Sequence, residues 1–218
     1  MTASQRPAVE AVRIRLEPAG FPGTDLVIEA ANLAAANLGM DARLRELEIV
    51  FDAPEFSGSS FFMVQNLPQE AGFKAQVYGS PEDVLARGAV GGDPDALSPA
   101  RLRELDPDAV DRMRLDRWLH RNLLQLDDLL SGRVDPTGIP AGKSLPLQSL
   151  WDVWTDGRLR ERQMPGLTQA ERRSIFFRVF ARHGLLLPRH WRLFHELWEG
   201  KHANQAGLLR ALEGLPEI

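Results

Sequence analysis

Apolar and charged side chains alternate through "VRIRLEP" (residues 12–18), the pattern of a strand with one wet face. The period changes in "TDLVIEAANLAAANLGM" (24–40), which is rich in Ala and Leu and places Thr24 or Asp25 to cap a helix. "LRELEIVFDAP" ends in a β-rich run that Pro54 stops. "SSFFMVQ" and "FKAQVYG" then flank "NLPQEAG", a connection suited to a hairpin. The pattern therefore predicts a small sheet with one helix, without giving its register.

Gly, Pro and Asp gather in "RGAVGGDPDALSP" (87–99), and beyond it the pattern is helical almost to the end. This sets a soft boundary near Ser98, between an N-terminal part over 1–97 and a helical part over 98–218, the two expected to pack as one continuous unit. Helices are expected over about 99 to 131, with Pro107 interrupting or beginning part of it, and over about 145 to 162, 168 to 183, 188 to 200 and 202 to 213. "SGRVDPTGIPAGKSLP" (131–146) is the clearest loop. The expected class is α+β: a small N-terminal mixed sheet with helices, followed by a helical C-terminal part.

Leu115, Leu119, Leu123, Leu126 and Leu130 fall in one arc at 100° per residue, which marks a core-facing stripe on a central helix. Within "LHRNLLQLDDLL" (119–130), Arg121, Gln125 and Asp128 stand at i, i+4 and i+7 on a different face, with Asn122 toward its edge. Such a face is either solvated surface, a structural contact, or a site.

Composition narrows the choices. A chain of 218 residues, 44% of them hydrophobic, can bury a substantial core. The formal charge of −4 is uneven: 7 basic against 14 acidic residues through Ala100, then 19 against 16. That distribution lacks the concentrated positive field of a nucleic-acid binder. The absence of cysteine excludes disulfides, thiolate metal sites and a cysteine nucleophile. The N-terminus lacks the apolar core of a signal peptide, and no apolar stretch is long enough to span a bilayer, so a cytoplasmic protein with no membrane contact is the expectation.

The segment around Arg121 resembles the His-Glu-x-x-His helix of zincin metallopeptidases, followed by x-x-Asp. In that motif two histidines four apart bind zinc and the glutamate handles the proton of the attacking water. Here Arg121, Asn122 and Gln125 stand at those positions. Arginine cannot deprotonate to coordinate zinc, asparagine has no useful basicity and a glutamine carbonyl is a poor ligand. The resemblance thus implies a degenerate metallopeptidase relative with no zinc, no cofactor and no ordinary zincin catalysis.

A second segment, "LWDVWTDGRLRER" (150–162), is similar to the tryptophan, aspartate and Asp-Gly-Arg-Leu pattern of bacterial zincin-like proteins. It adds Asp152 and Asp156 to the candidate binding set of Arg121, Asn122, Gln125 and Asp128, with Arg158, Arg160 or Arg121 as partners for the two acids. The order strand, helix, strands, motif helix also fits the upper half of a zincin fold. The implied function is non-catalytic binding of a peptide or protein segment, with a sheet edge in residues 59 to 78 as its seat. In this reading the Arg121 guanidinium stands in for the metal's charge, with Gln125 bridging toward Asp128.

The alternatives are of other classes. Asp127, Asp128, Asp152, Asp156 and His120 would suit Mg²⁺ or Mn²⁺ in a divergent hydrolase. A structural or assembly protein would use the same polar cluster to fix helix packing.

Two other motifs weigh less. His195, Glu199 and His202 in "FHELWEGKH" have metal-ligand spacing, but Gly200 is placed to end the helix and rotate His202 off the face. "TGIPAGKS" has three residues between Gly138 and Gly142 where a phosphate-binding loop needs four. Phe176, Phe177, Phe180, Trp191, Phe194 and Trp198 belong to neighbouring helices, mostly as core. Any left exposed, with Leu185 to Leu187, would favour self-association.

Overall fold

A computed structural model of the chain describes residues 12–51, 61–68, 72–89, 97–139, 142–181, 185–202 and 204–215. Its class is α+β. Two compact units, Met1–Leu123 and Leu124–Ile218, divide the chain within its longest described helix.

In the first unit, the alternating N-terminal segment forms β1 (Arg13–Glu17) and the Ala-rich segment forms α1 (Thr24–Asn37). Neither Thr24 nor Asp25 caps that helix. Gly23 holds the cap position at φ 61°, and the Thr24 hydroxyl donates instead to the carbonyl of Phe21 at 2.6 Å. A left-handed backbone at this point favours glycine, which spends no side chain on the cap. Val27, Ala30, Ala31, Ala34 and Ala35 make the buried face of α1, small residues that let the helix lie close to its neighbours.

Strands β2 (Leu44–Phe51), β3 (Phe61–Leu67) and β4 (Gly72–Gly79) complete a sheet of order β1-β2-β4-β3. Strand β2 is parallel to β1 and β4, while β3 and β4 form the expected antiparallel hairpin. The hairpin turns its second strand inward, so β3 becomes the outer strand. Leu47, Ile49 and Phe51 of β2 and Ala75 and Val77 of β4 are buried on one face, which contributes about 1.5–3 kcal/mol per large apolar side chain. The opposite face carries a polar ladder in which Gln76 donates to Glu48 at 2.6 Å and Lys74 lies 3.5 Å from Glu46. Pro54, expected to stop β2, lies outside the described residues.

Helix α2 (Pro99–Leu102) and a short 3₁₀ turn opened by Pro107 precede α3 (Arg112–Leu130), so Pro107 separates two helices within 99–131. Asp111 starts α3 by accepting from the backbone N–H groups of Met113 and Arg114. Trp118 of α3 fits where β4 has Gly79. A Cβ there would lie 2.5 Å from the indole, which also packs on Phe51 at 5.1 Å.

The second unit contains α4 (Ser144–Glu161), α5 (Gln169–Phe180), α6 (Pro188–Trp198) and α7 (Gln205–Glu213). Leu150, Val153, Phe176, Phe194, Leu197 and Leu208 form its apolar centre. Gly157 is the point of closest approach between α4 and α6, since a Cβ there would collide with the Trp198 carbonyl. Thr168 and Glu171 close a reciprocal capping box at the start of α5. Gly200, at φ 76°, ends α6, as its position in the sequence predicts. None of the described helices is long and apolar enough to cross a membrane.

Candidate functional site

Helix α3 carries the motif positions, and its polar side is not a solvated face. Leu115, Leu119, Leu123 and Leu126 are buried as the stripe predicts, yet Asn122, Gln125 and Asp128 are buried as well, and Arg121 is half-buried. The Asn122 amide turns back on its own helix and donates to the Trp118 carbonyl at 2.8 Å. His120 is also buried. Its Nδ1 lies 2.8 Å from the Asp116 carbonyl and must donate to it, which leaves Nε2 as an acceptor toward the Asn37 amide at 3.4 Å. Both ring nitrogens are thereby engaged in packing α3 and α1.

The remaining candidates meet in the second unit, around three arginines. Arg158 grips Asp128 with both terminal nitrogens, at 2.8 and 2.5 Å, and the Trp151 indole N–H donates to the same carboxylate at 2.8 Å. Arg133 lies 3.2 Å from Asp128 and also pairs with Asp127. The Arg158 guanidinium stacks 3.7 Å above the Trp154 ring.

Arg172, only 1% exposed, bridges the other two acids through Nε to Asp156 at 2.6 Å and Nη1 to Asp152 at 3.1 Å. Asp152 accepts further from Gln125 at 2.8 Å and Gln148 at 2.9 Å, and Asp156 from the Leu167 backbone at 3.3 Å. Spacing on the helix put Asp152 and Asp156 together, and Arg172 is the group that joins them.

This arrangement locks charges; it does not offer them. Each of these carboxylates faces a guanidinium, which has five donors and no acceptor, so the acids are turned toward a fixed cation. Among the described residues no group of three or more His, Asp or Glu side chains is placed to hold a metal ion. The expected link from Gln125 toward Asp128 is replaced by the bond from Gln125 to Asp152. Of the arginines foreseen as partners, Arg158 pairs with Asp128.

Sequence pattern alone does not mark Arg172 and Arg133 as site residues. For Arg172 the signal was present: it stands four residues before Phe176, on the same buried face of α5. An arginine on a core-facing stripe needs a buried acid. Arg133 lies in the expected loop, where no periodicity marks it.

The other constellations separate. His202 lies beyond the Gly200 break, 3.9 Å from Glu196. The "TGIPAGKS" segment (137–144) begins inside a 3₁₀ turn over Pro136–Gly138, and Lys143 pairs with Glu213 at 3.3 Å.

The sheet offers a different kind of site at its margin. Strand β3 has β4 on one side and no strand on the other among the described residues. It contains no charged residue, and Met63 and Val64 are 50% and 43% exposed. The opposite edge differs: on β1, Arg13, Arg15 and Glu17 are exposed. Charge on an edge strand discourages pairing with another chain, so β1 carries a guard that β3 lacks.

Comparison of the chain with known proteins finds no matching family model, curated protein or solved structure.

Proposed function

We propose that this chain is a zincin-like protein without a catalytic zinc centre, which holds an extended peptide or protein segment along β3. The observation that carries the reading is the uncharged outer strand β3, which has no strand beyond it among the described residues. Added strands gain affinity from main-chain hydrogen bonds and need neither metal nor a catalytic base. The order β1, α1, β2, β3, β4, then the short α2 and a helix with Arg121, Asn122 and Gln125 at the three motif positions, supports the ancestry. Each backbone hydrogen bond contributes about 0.5–1.5 kcal/mol net, so a short segment binds with modest affinity once its ordering entropy is subtracted.

Anisotropy of a labelled, uncharged, β-branched peptide titrated with metal-free protein tests this. Saturable binding is expected, with the peptide intact afterwards. Val64→Lys should weaken it at least tenfold without shifting the thermal midpoint. Absence of binding, or stoichiometric zinc together with zinc-dependent cleavage, overturns the reading.

A second reading applies to Gln125, Asp128, Asp152 and Asp156. Their burial against Arg158 and Arg172 favours a structural role, fixing how α4 and α5 pack on the C-terminal turns of α3. Conformational specificity is a role that buried ion pairs fill even where their net stabilisation is small.

A further inference from the structure

We propose that a cleft in the second unit, where the chain turns from α4 into α5, binds an apolar carboxylate, with Arg160 as the cation that receives it. The inference stands apart from β3 and from the buried acids. Its basis is an arginine left without an ion pair beside an apolar wall that the core holds in place.

The cleft has a volume of about 390 Å³, within the roughly 300–1,000 Å³ of small-molecule sites. Met164, Leu167 and Trp198 give it an apolar lining, and Arg160, Gln163 and Gln169 are lining residues whose side chains have donors to offer. None of the lining residues is acidic. Trp198 is fixed from behind: its ring stacks on Phe194 with the planes 9° apart, and its carbonyl closes on Gly157. A wall already held in place adds little ordering cost on binding.

The neighbouring charges single out Arg160. Asp156 is taken by Arg172 at 2.6 Å, and Glu171 accepts from the Thr168 hydroxyl at 2.7 Å. Glu199 lies in electrostatic range of Arg160 but has its ion pair with Lys201 at 2.9 Å. Arg160 is exposed, and it has no ion pair or side-chain hydrogen bond among the described residues. The start of α5 does not compete for an anion. The backbone N–H groups of Leu167, Thr168 and Glu171 are already given to Asp156, Glu171 and Thr168. One planar fork beside three apolar residues therefore suits a carboxylate on an apolar body, whereas a phosphate calls for further cations or free backbone donors.

Gln163 adds an independent sign. It follows α4 at φ 56°, and the Met164 N–H bonds back to the Leu159 carbonyl at 2.9 Å, a helix ending that glycine serves best. Among the described residues it is the one non-glycine with positive φ. Strained backbone positions cluster at ligand sites, and this one borders the cleft.

The test is NMR of protein with isotope-labelled methionine methyl groups, the Met164 signal being assigned with Met164→Leu. That signal should shift saturably with phenylacetate added to about 10 mM, with Kd on the order of 1 mM for so open a site. Phenylacetamide, which keeps the ring and loses the charge, and inorganic phosphate should each bind at least tenfold more weakly. Arg160→Gln should bind phenylacetate at least tenfold more weakly with an unchanged thermal midpoint. Arg162→Gln, exposed but outside the cleft, should bind as wild type does. Gln163→Gly should raise the thermal midpoint and weaken binding. A short peptide ending in a free phenylalanine carboxylate separates the two sources of this chemistry: tighter binding than phenylacetate identifies a chain end, and equal or weaker binding a small acid. Val64→Lys should bind both ligands as wild type does, which separates the cleft from β3.

No saturable shift at Met164, equal binding of phenylacetamide or phosphate, or an Arg160→Gln protein that binds as wild type does overturns the inference. Loss of phenylacetate binding in Val64→Lys overturns it as well.

Discussion

Arg172 shows how much one side chain carries: it faces Asp152 and Asp156 from the interior, and its loss deprives two buried acids of their cation. Arg172→Ala is expected to cost about 3–5 kcal/mol, measured by urea unfolding. Arg172→Lys should restore only part of this, because an ammonium cannot reach two carboxylates with a planar fork. Gly157→Ala is expected to cost about 1–3 kcal/mol by forcing α4 from the Trp198 backbone, whose carbonyl carbon would be 2.9 Å from the new Cβ. His190 adds a pH dependence. Burial lowers its pKa below the ordinary 6.5, so the unfolded chain takes up a proton in a range where the folded chain does not. Its contribution to stability is therefore full above 6.5 and is lost as pH falls toward the folded-state value. Urea midpoints at pH 7.5 and 5.5 should differ less for His190→Gln than for wild type.

At the scale of elements, helix and strand positions were legible because period and breakers are local. β1, α1, the β3–β4 hairpin and helices α4 to α7 stand near where alternation, capping residues and Gly200 place them. What period could not give is the insertion of β4 between β2 and β3, since strand order depends on which faces the helices cover. The candidate site divides in the same way. Spacing along α3 and α4 set out Asn122, Gln125, Asp128, Asp152 and Asp156, but the three acids are paired by Arg158 and Arg172, which reach them across 30 and 16 to 20 residues of chain. A polar helix face looks the same in sequence whether water or an arginine covers it. The capping box of α5 is a local device with a local effect: Thr168→Ala is expected to lower stability by about 1 kcal/mol, read from the thermal midpoint.

Taken whole, the two units dispose their polar side chains differently. The second unit spends its charges internally, with Asp128, Asp152 and Asp156 each held by an arginine, and the first unit leaves an uncharged strand at the margin of its sheet. The proposed recognition through that strand calls for no metal, and purified protein is expected to carry far less than one zinc per chain by elemental analysis. The most direct measurement is hydrogen–deuterium exchange of metal-free protein with and without a saturating, uncharged β-branched peptide. The account predicts slowed exchange across Phe61–Leu67, little change in α3, and recovery of the peptide uncleaved. Unchanged exchange in β3, or protection centred on Arg121–Gln125 with zinc-dependent cleavage, would contradict it.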